Sequence, residues 1–192
     1  NLRADGTFDE ELFRGRIVNM LESGADILDL GACSTRPGSD SISGEEEWRR
    51  LEPALRILGA EHEGVRVSID TFRPEVVSRA FDIIGPFIVN DVSGGCEEMW
   101  SLLGQLGLPY IAMHTRGTPK NMLSLTDYDN VTEAVREFFV EIATEADKHG
   151  VNDWVLDPGF GFAKTVEQNW QLLREMSVLQ EFGKEILVGL SR

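Results

Sequence analysis

The chain is 192 residues long and 42% hydrophobic, enough for one domain with a sizeable core, and its 33 acidic against 18 basic side chains leave a formal net charge of −15. That balance argues against nucleic acid or an anionic membrane as a general partner, because neutralising phosphates needs a basic surface. Cys33 and Cys96, outside any C-x-x-C pattern, make neither a disulfide framework nor a structural zinc site and fit a reducing, cytoplasmic setting; no apolar run approaches the ~20 residues of a membrane span, and the opening NLRADGTFDE has no signal-peptide character.

In chain order, Thr7-x-x-Glu10 predicts a helix start, with Phe13, Ile17, Met20 and Leu21 on one face. ADILDLG (25–31) reads as a strand, followed by Ser34-Thr35-Arg36-Pro37-Gly38, a loop with two hydroxyls and a guanidinium. Ser43-x-x-Glu46 opens a second helix, whose face is Trp48, Leu51, Leu55 and Leu58. VRVSID (65–70) is the next strand, and Pro74 suits the first position of the helix after it. PFIVNDV (86–92) and PYIAMH (109–114) are two further strands. Asn130-x-x-Glu133 begins a helix with Val135, Phe138, Phe139 and Ile142 inward. DWVLDPG (153–159) is a fifth strand, Thr165-x-x-Gln168 starts a helix facing Leu172, Leu173, Met176 and Leu179 to the core, and EILVGLS (185–191) is a sixth strand. The strand runs are short and apolar on both faces, as buried parallel strands are. The Met and aromatic stripes read as core packing rather than cofactor contacts.

Strict alternation of helix and strand implies right-handed βαβ units and a parallel sheet. An open doubly wound sheet and a TIM (β/α)8 barrel both fit that order. The strand ends decide for the barrel: nearly every run finishes in polar residues, including Asp29, Asp70, Asn90 with Asp91, His114, Asp157 and Ser191. In a barrel those ends converge on one mouth. A doubly wound fold would use mainly its switch point, usually with a glycine-rich phosphate loop, and no such motif is present. A full barrel has eight strands and ~250 residues. The expectation is therefore a single domain over residues 1–192, a barrel lacking its first strand and its last helix-strand-helix portion. Such an open barrel exposes strand edges that further strands or a partner must cover.

Several residues could carry chemistry. Asp70 either caps the Pro74 helix or offers its carboxylate to ligand N–H groups. Asp91 reads as a turn residue bonding the Ser93-Gly94 backbone. Asn90 points opposite to it, so one of the two faces the barrel interior. Asp157 begins DPGFGFAKT, where Pro158 holds it extended and Phe160 and Phe162 present aromatic faces. A carboxylate beside aromatic rings suits a flat, nitrogen-rich heterocycle, since it takes two parallel N–H donors. Met113 and His114 line the same end, His114 more as a structural hydrogen-bonder than as a base. Neither H-x-H, H-E-x-x-H nor G-x-S-x-G occurs, so a zinc hydrolase or a serine esterase has little support.

Together, LDLGACSTRPGSD, SIDTFRPEVV, VNDVSGG, MHTRGTPKNM, DPGFGFAKT and LVGLSR resemble the dihydropteroate synthases of the pterin-binding barrel superfamily, in order and over nearly the whole chain. EEEWRRLEPAL and RGTPKNM are most similar to the Bacteroides-type branch. The resemblance implies a transferase of folate synthesis and a sulfonamide target. It would join 6-hydroxymethyl-7,8-dihydropterin diphosphate to p-aminobenzoate, with Mg²⁺, as a homodimer. It implies that Asp70, Asn90 and Asp157 bind the pterin with Met113 packed on its ring, and that Thr35, Arg36, Pro37, Phe162 and Ser191 surround the p-aminobenzoate and diphosphate. Arg36, Asp70 and Asp157 are then the catalytic set. The family's metal-contacting Asn belongs to an N-x-T-P-D-S-F segment not found here, and Asn1 does not stand for it, so no metal ligand is expected within this chain. The family's pterin-binding Lys and its Arg-x-His pair are expected beyond Arg192. Cys33 stands where members often have Glu or Tyr and reads as a packing residue. Two alternatives share the pocket. One is a corrinoid methyltransferase domain, which has no use for the Ser-Thr-Arg-Pro-Gly loop. The other is a non-catalytic pterin-binding fragment.

Overall fold

The structure is a computed structural model and describes residues 7–33 and 42–189. Its helices are α1 (Glu10–Glu22), α2 (Gly44–Glu61), α3 (Pro74–Ile84), α4 (Glu97–Leu106), α5 (Val131–His149) and α6 (Val166–Glu175), the last continuing as a 3₁₀ turn over Met176–Phe182. The strands are β1 (Ile27–Gly31), β2 (Arg66–Asp70), β3 (Ile88–Asp91), β4 (Tyr110–Met113) and β5 (Trp154–Asp157). All pair in parallel in the spatial order β1-β2-β3-β4-β5. A doubly wound sheet reverses its strand order at a switch point. This sheet never does, and each helix packs on the next one along the chain, from α1 on α2 through α5 on α6. That is the arc of a (β/α) barrel, as expected.

Register separates two faces. Leu28, Val67 and Leu30, Ile69, Val89, Tyr110, Trp154 stand in matched rows and, with Ala112 and Leu156, join the buried core made with the helices. The intervening residues Asp29, Ser68, Asp70, Asn90 and Asp157 take no part in that core. Strand alternation therefore puts one face on the helix layer and turns the polar set to the inside of the arc.

The sixth predicted strand is reduced to a single parallel bridge between Leu156 and Ile186, with Glu185 O accepting from Leu156 N (3.0 Å) and Leu187 N donating to Leu156 O (2.8 Å). It is paired on one side only, and Leu187 and Val188 are 40% and 37% exposed, so little burial holds it in line beyond that point. α1 is capped by Asp9, which accepts from Leu12 N, and not from Thr7; the carboxylate is the stronger acceptor and faces the positive helix end. Met20, expected on the inner face, is 52% exposed, while Phe13 and Ile17 are buried. The other starts are as predicted: Ser43 and Asn130 cap α2 and α5, Pro74 opens α3, and Thr165 with Gln168 forms a reciprocal capping box. Among the described residues no helix is long and apolar enough to cross a membrane.

Candidate active site

Asp70 ends β2 directly opposite Asn90, the residue before the end of β3, and Met113 and Asp157 end β4 and β5 opposite each other. Adjacent strands lie ~4.8 Å apart, so each pair presents two neighbouring side chains. Ile111 and Val155 occupy the row of Asn90, one inward-facing step before Met113 and Asp157. The four expected pterin residues thus share the inner face at the C-terminal ends of consecutive strands.

Asp70 does not cap α3. That cap is Arg73, Pro74 removes one of the N–H groups needing a partner, and Thr71 Oγ1 accepts from Arg73 N at 3.2 Å. The Asp70 carboxyl instead lies across Gly31, where an added Cβ would stand 3.2 Å from its Oδ2. Burial first, then the negative charges of Asp29, Glu47 and Asp91, push its pKa up to about 7. Glu47 is itself buried, paired with the Arg73 guanidinium, which also donates to Ile42 O at 2.6 Å.

Asn90 is the inward member of its pair. Asp91 faces the helices, fully buried, accepting from Ser93 N (2.7 Å), Ser93 Oγ (2.7 Å) and Tyr110 OH (3.1 Å), which makes it the turn residue the sequence suggested. Asn90 Nδ2 donates to Asp29 Oδ1 at 3.4 Å, and Ser68 Oγ donates to the same oxygen at 2.6 Å. With its amide group turned to Asp29, Asn90 keeps its Oδ1 for a donor from a ligand.

Asp157 Oδ1 accepts from Gly159 N at 2.8 Å, which leaves its second oxygen free of that turn. Burial raises its pKa above the usual carboxylate range, the Gly159 N–H and the Lys164 charge acting against the rise. Lys164, read in the sequence only as leading into a helix, is buried, with its ammonium 2.9 Å from His114 Nδ1, 3.0 Å from Gly159 O, 3.1 Å from Phe162 O and 3.3 Å from His114 O. Burial brings its pKa down to about 7. His114 is buried too, and burial followed by the Lys164 and Arg116 charges lowers its pKa to about 3. It stays neutral and accepts at Nδ1, a structural role and not that of a base. Phe162 is half-buried on the 157–165 loop. Thr35, Arg36, Pro37 and Ser191 lie outside the described residues.

Asp29 and Lys164 are the residues that sequence reasoning missed. Asp29 stood among the polar strand ends without a role, and Lys164 carried one signal, a cation between G-x-G-x and a helix cap. Asp29→Asn should lower the Asp70 pKa from about 7. Because a raised carboxyl binds its proton more tightly when folded, Asp70 stabilises the fold at acid pH and loses that contribution as pH climbs from the ordinary ~3.9 through its folded value. The variant should therefore lose it over a narrower window. Carboxyl-carbon NMR titration reads this directly, and an unmoved Asp70 curve would remove Asp29 from the account.

Among the described residues the grouping of ligand atoms close enough to share a cation is Glu97, Glu145 and His149 on α4 and α5. The Lys148 ammonium already pairs with both carboxylates there, at 2.9 and 3.2 Å. That grouping lies on the helix layer and not on the inner face.

Known proteins share this arrangement of strands and sequence. The chain is 42% identical over 177 residues to the dihydropteroate synthase of Synechocystis, covering 90% of this chain and 61% of that protein. The crystal structure of the Yersinia pestis dihydropteroate synthase with a sulfonamide drug superposes with a TM-score of 0.87 at 33% identity, over 93% of this chain and 65% of that one. The Thermus thermophilus enzyme in complex with 4-aminobenzoate gives 0.84 at 41% identity, over 92% of this chain and 67% of that one. The chain thus spans about three fifths of the length of the curated relatives, 61% in Synechocystis and 62% in Escherichia coli. Residues 5–192 match the family described as pterin binding enzyme, and with five strands in barrel order and that match running nearly end to end, the chain belongs to the pterin-binding enzymes.

Proposed function

We propose that the protein is a dihydropteroate synthase, a cytoplasmic transferase of folate synthesis built on one domain. It would condense 6-hydroxymethyl-7,8-dihydropterin diphosphate with p-aminobenzoate. The observation that carries this reading is the inner face itself: Asp70, Asn90, Met113 and Asp157 stand in the last two positions of four consecutive strands and face one side. Relatives named dihydropteroate synthase support it, including one whose structure holds 4-aminobenzoate.

The residues divide the work by chemistry. Asp157 and Asn90 present acceptors to the N–H groups of an amino-pyrimidinone edge, and Met113 packs on the ring. Asp70, with its pKa near neutrality, exchanges a proton with a ring nitrogen at little cost. These contacts hold the exocyclic methylene against the incoming amine. The C–O bond breaks with its electron pair leaving on diphosphate, the electron-rich pterin bears the developing positive charge, and the aryl amine lone pair forms the C–N bond, its proton passing to the departing diphosphate or to water. Such a step needs positioning more than a strong base. Thr35, Arg36, Pro37, Phe162 and Ser191 are proposed to line the p-aminobenzoate and diphosphate side, where Arg36 neutralises the leaving group and sulfonamides compete. Mg²⁺ would supply further neutralisation of the diphosphate, with ligands other than the described residues, and the active form is proposed to be a homodimer.

The purified protein should release diphosphate only when the pterin diphosphate and p-aminobenzoate are both present. Release that ignores p-aminobenzoate, or none, overturns the proposal. Tighter binding of methyltetrahydrofolate than of the pterin diphosphate would favour a methyl-transferring pterin enzyme instead.

A further inference from the structure

A buried ammonium is costly to desolvate, and it is tolerated only where its N–H donors are met by acceptors. Lys164 is kept in such a position, beneath the residues that face the substrate site. Its three N–H donors meet four acceptors: His114 Nδ1 and O from the end of β4, and the carbonyls of Gly159 and Phe162 from the loop after β5. Both loop residues are tied in turn to the expected ligand contacts. Gly159 N donates to the Asp157 carboxylate, so the two ends of one residue are held by Asp157 and by Lys164. Phe162 N donates to Gly159 O at 3.1 Å while Phe162 O accepts from Lys164, which orients the peptide that carries the aromatic ring. Between Phe162 and Lys164, Ala163 sits buried at φ 49°, a left-handed conformation that is unfavourable for a residue with a Cβ and persists only where its surroundings impose it.

We propose that Lys164 is a positioning residue for both halves of the substrate site. Its ammonium clamps the 159–162 loop to the end of β4, and thereby sets where the Asp157 carboxylate and the Phe162 ring stand. The inference rests on the proposed synthase reading for what the two residues contact, and on the structure alone for the clamp. Lys164 touches no substrate.

Lys164→Met keeps an unbranched side chain, one heavy atom shorter, and removes the charge together with its three N–H donors. It should weaken binding of the dihydropterin diphosphate, measured by calorimetry, roughly 10- to 100-fold, the loss that a misplacement of ~1 Å produces. The melting temperature should fall, because Gly159 O, Phe162 O and His114 lose their donor, the affinity loss should persist at temperatures well below it, and amide hydrogen exchange should quicken at Gly159, Gly161 and Phe162 while the core strands stay protected. Wild-type affinity in the variant overturns the proposal. So does an affinity loss that disappears well below the melting temperature, because a residue that only stabilises the fold would behave in that way. If the variant does not fold, ¹⁵N-lysine NMR on the wild type decides: a protected Lys164 ammonium signal that shifts on adding the pterin diphosphate supports the clamp, and an unshifted or unprotected one overturns it. Should the wild type fail to bind the pterin diphosphate, the synthase reading falls, and the loop exchange rates still judge the clamp.

Discussion

Replacing Asp157 with asparagine is expected to weaken binding of the dihydropterin diphosphate at least ~100-fold, because two charge-assisted hydrogen bonds at roughly 1.5–3 kcal/mol each are lost or turned into donor–donor clashes. The substitution is cleaner than alanine. The Asn side chain keeps an oxygen for the Gly159 N–H that Asp157 Oδ1 now accepts at 2.8 Å, so the loop retains its turn. It also removes a carboxylate whose burial already raises its pKa, so the folded state loses little. Calorimetric titration against the wild type, paired with a melting curve, reads both consequences. Affinity within about threefold of wild type would take Asp157 out of ligand recognition and leave it a turn residue.

The second large effect is on the fold. Gly159→Ala should cost on the order of 3 kcal/mol or more, and so lower the melting temperature by roughly 6–12 °C. Gly159 adopts φ 67°, and a Cβ there would overlap the carbonyl oxygen of His114. That oxygen is held by the Lys164 ammonium, and the His114 N–H is bonded to Asp157 O at 2.9 Å, so neither side can withdraw without parting the ends of β4 and β5. Substrate binding should fall with stability in this variant, unlike Lys164→Met, where the affinity loss should persist well below the melting temperature. Thermal unfolding followed by circular dichroism measures the loss, and a shift under about 2 °C would show that the loop relaxes around a methyl group.

The barrel arc was legible because each strand passes from an apolar run to a polar end within a few residues. ADILDLG, VRVSID, PFIVNDV, PYIAMH and DWVLDPG all contain the observed strands, and of their polar ends Asp29, Asp70, Asn90 and Asp157 face inward while Asp91 turns to the helices. EILVGLS carries the same pattern, and its described residues make a single parallel bridge, Ile186 to Leu156. Asn90 and Asp91 could be assigned to opposite faces by alternation, but which one turned inward depended on Tyr110, nineteen positions along the chain, being available to bond Asp91. Asp29 was harder still. It acquires its place from Ser68 and Asn90, which are 39 and 61 residues distant in sequence, and from a charge that acts on Asp70 through space. Lys164 stands in the sequence only as the residue before a helix cap. Its burial follows from a loop that folds back on β4, and no periodicity records that.

The two faces of the sheet answer to different demands. Leu30, Ile69, Val89, Tyr110 and Leu156 hold the strands to the helices, while Asp29, Asp70, Asn90 and Asp157 lie outside the buried core. Selection can therefore rewrite the inner face almost independently of the outer one. Exchanging one of those carboxylates for a neutral side chain removes recognition chemistry without removing adhesion. An inhibitor that reads only the inner face meets residues whose exchange substrate recognition opposes but the fold does not, whereas a contact with the Gly159–His114 backbone is one the protein cannot change without losing stability.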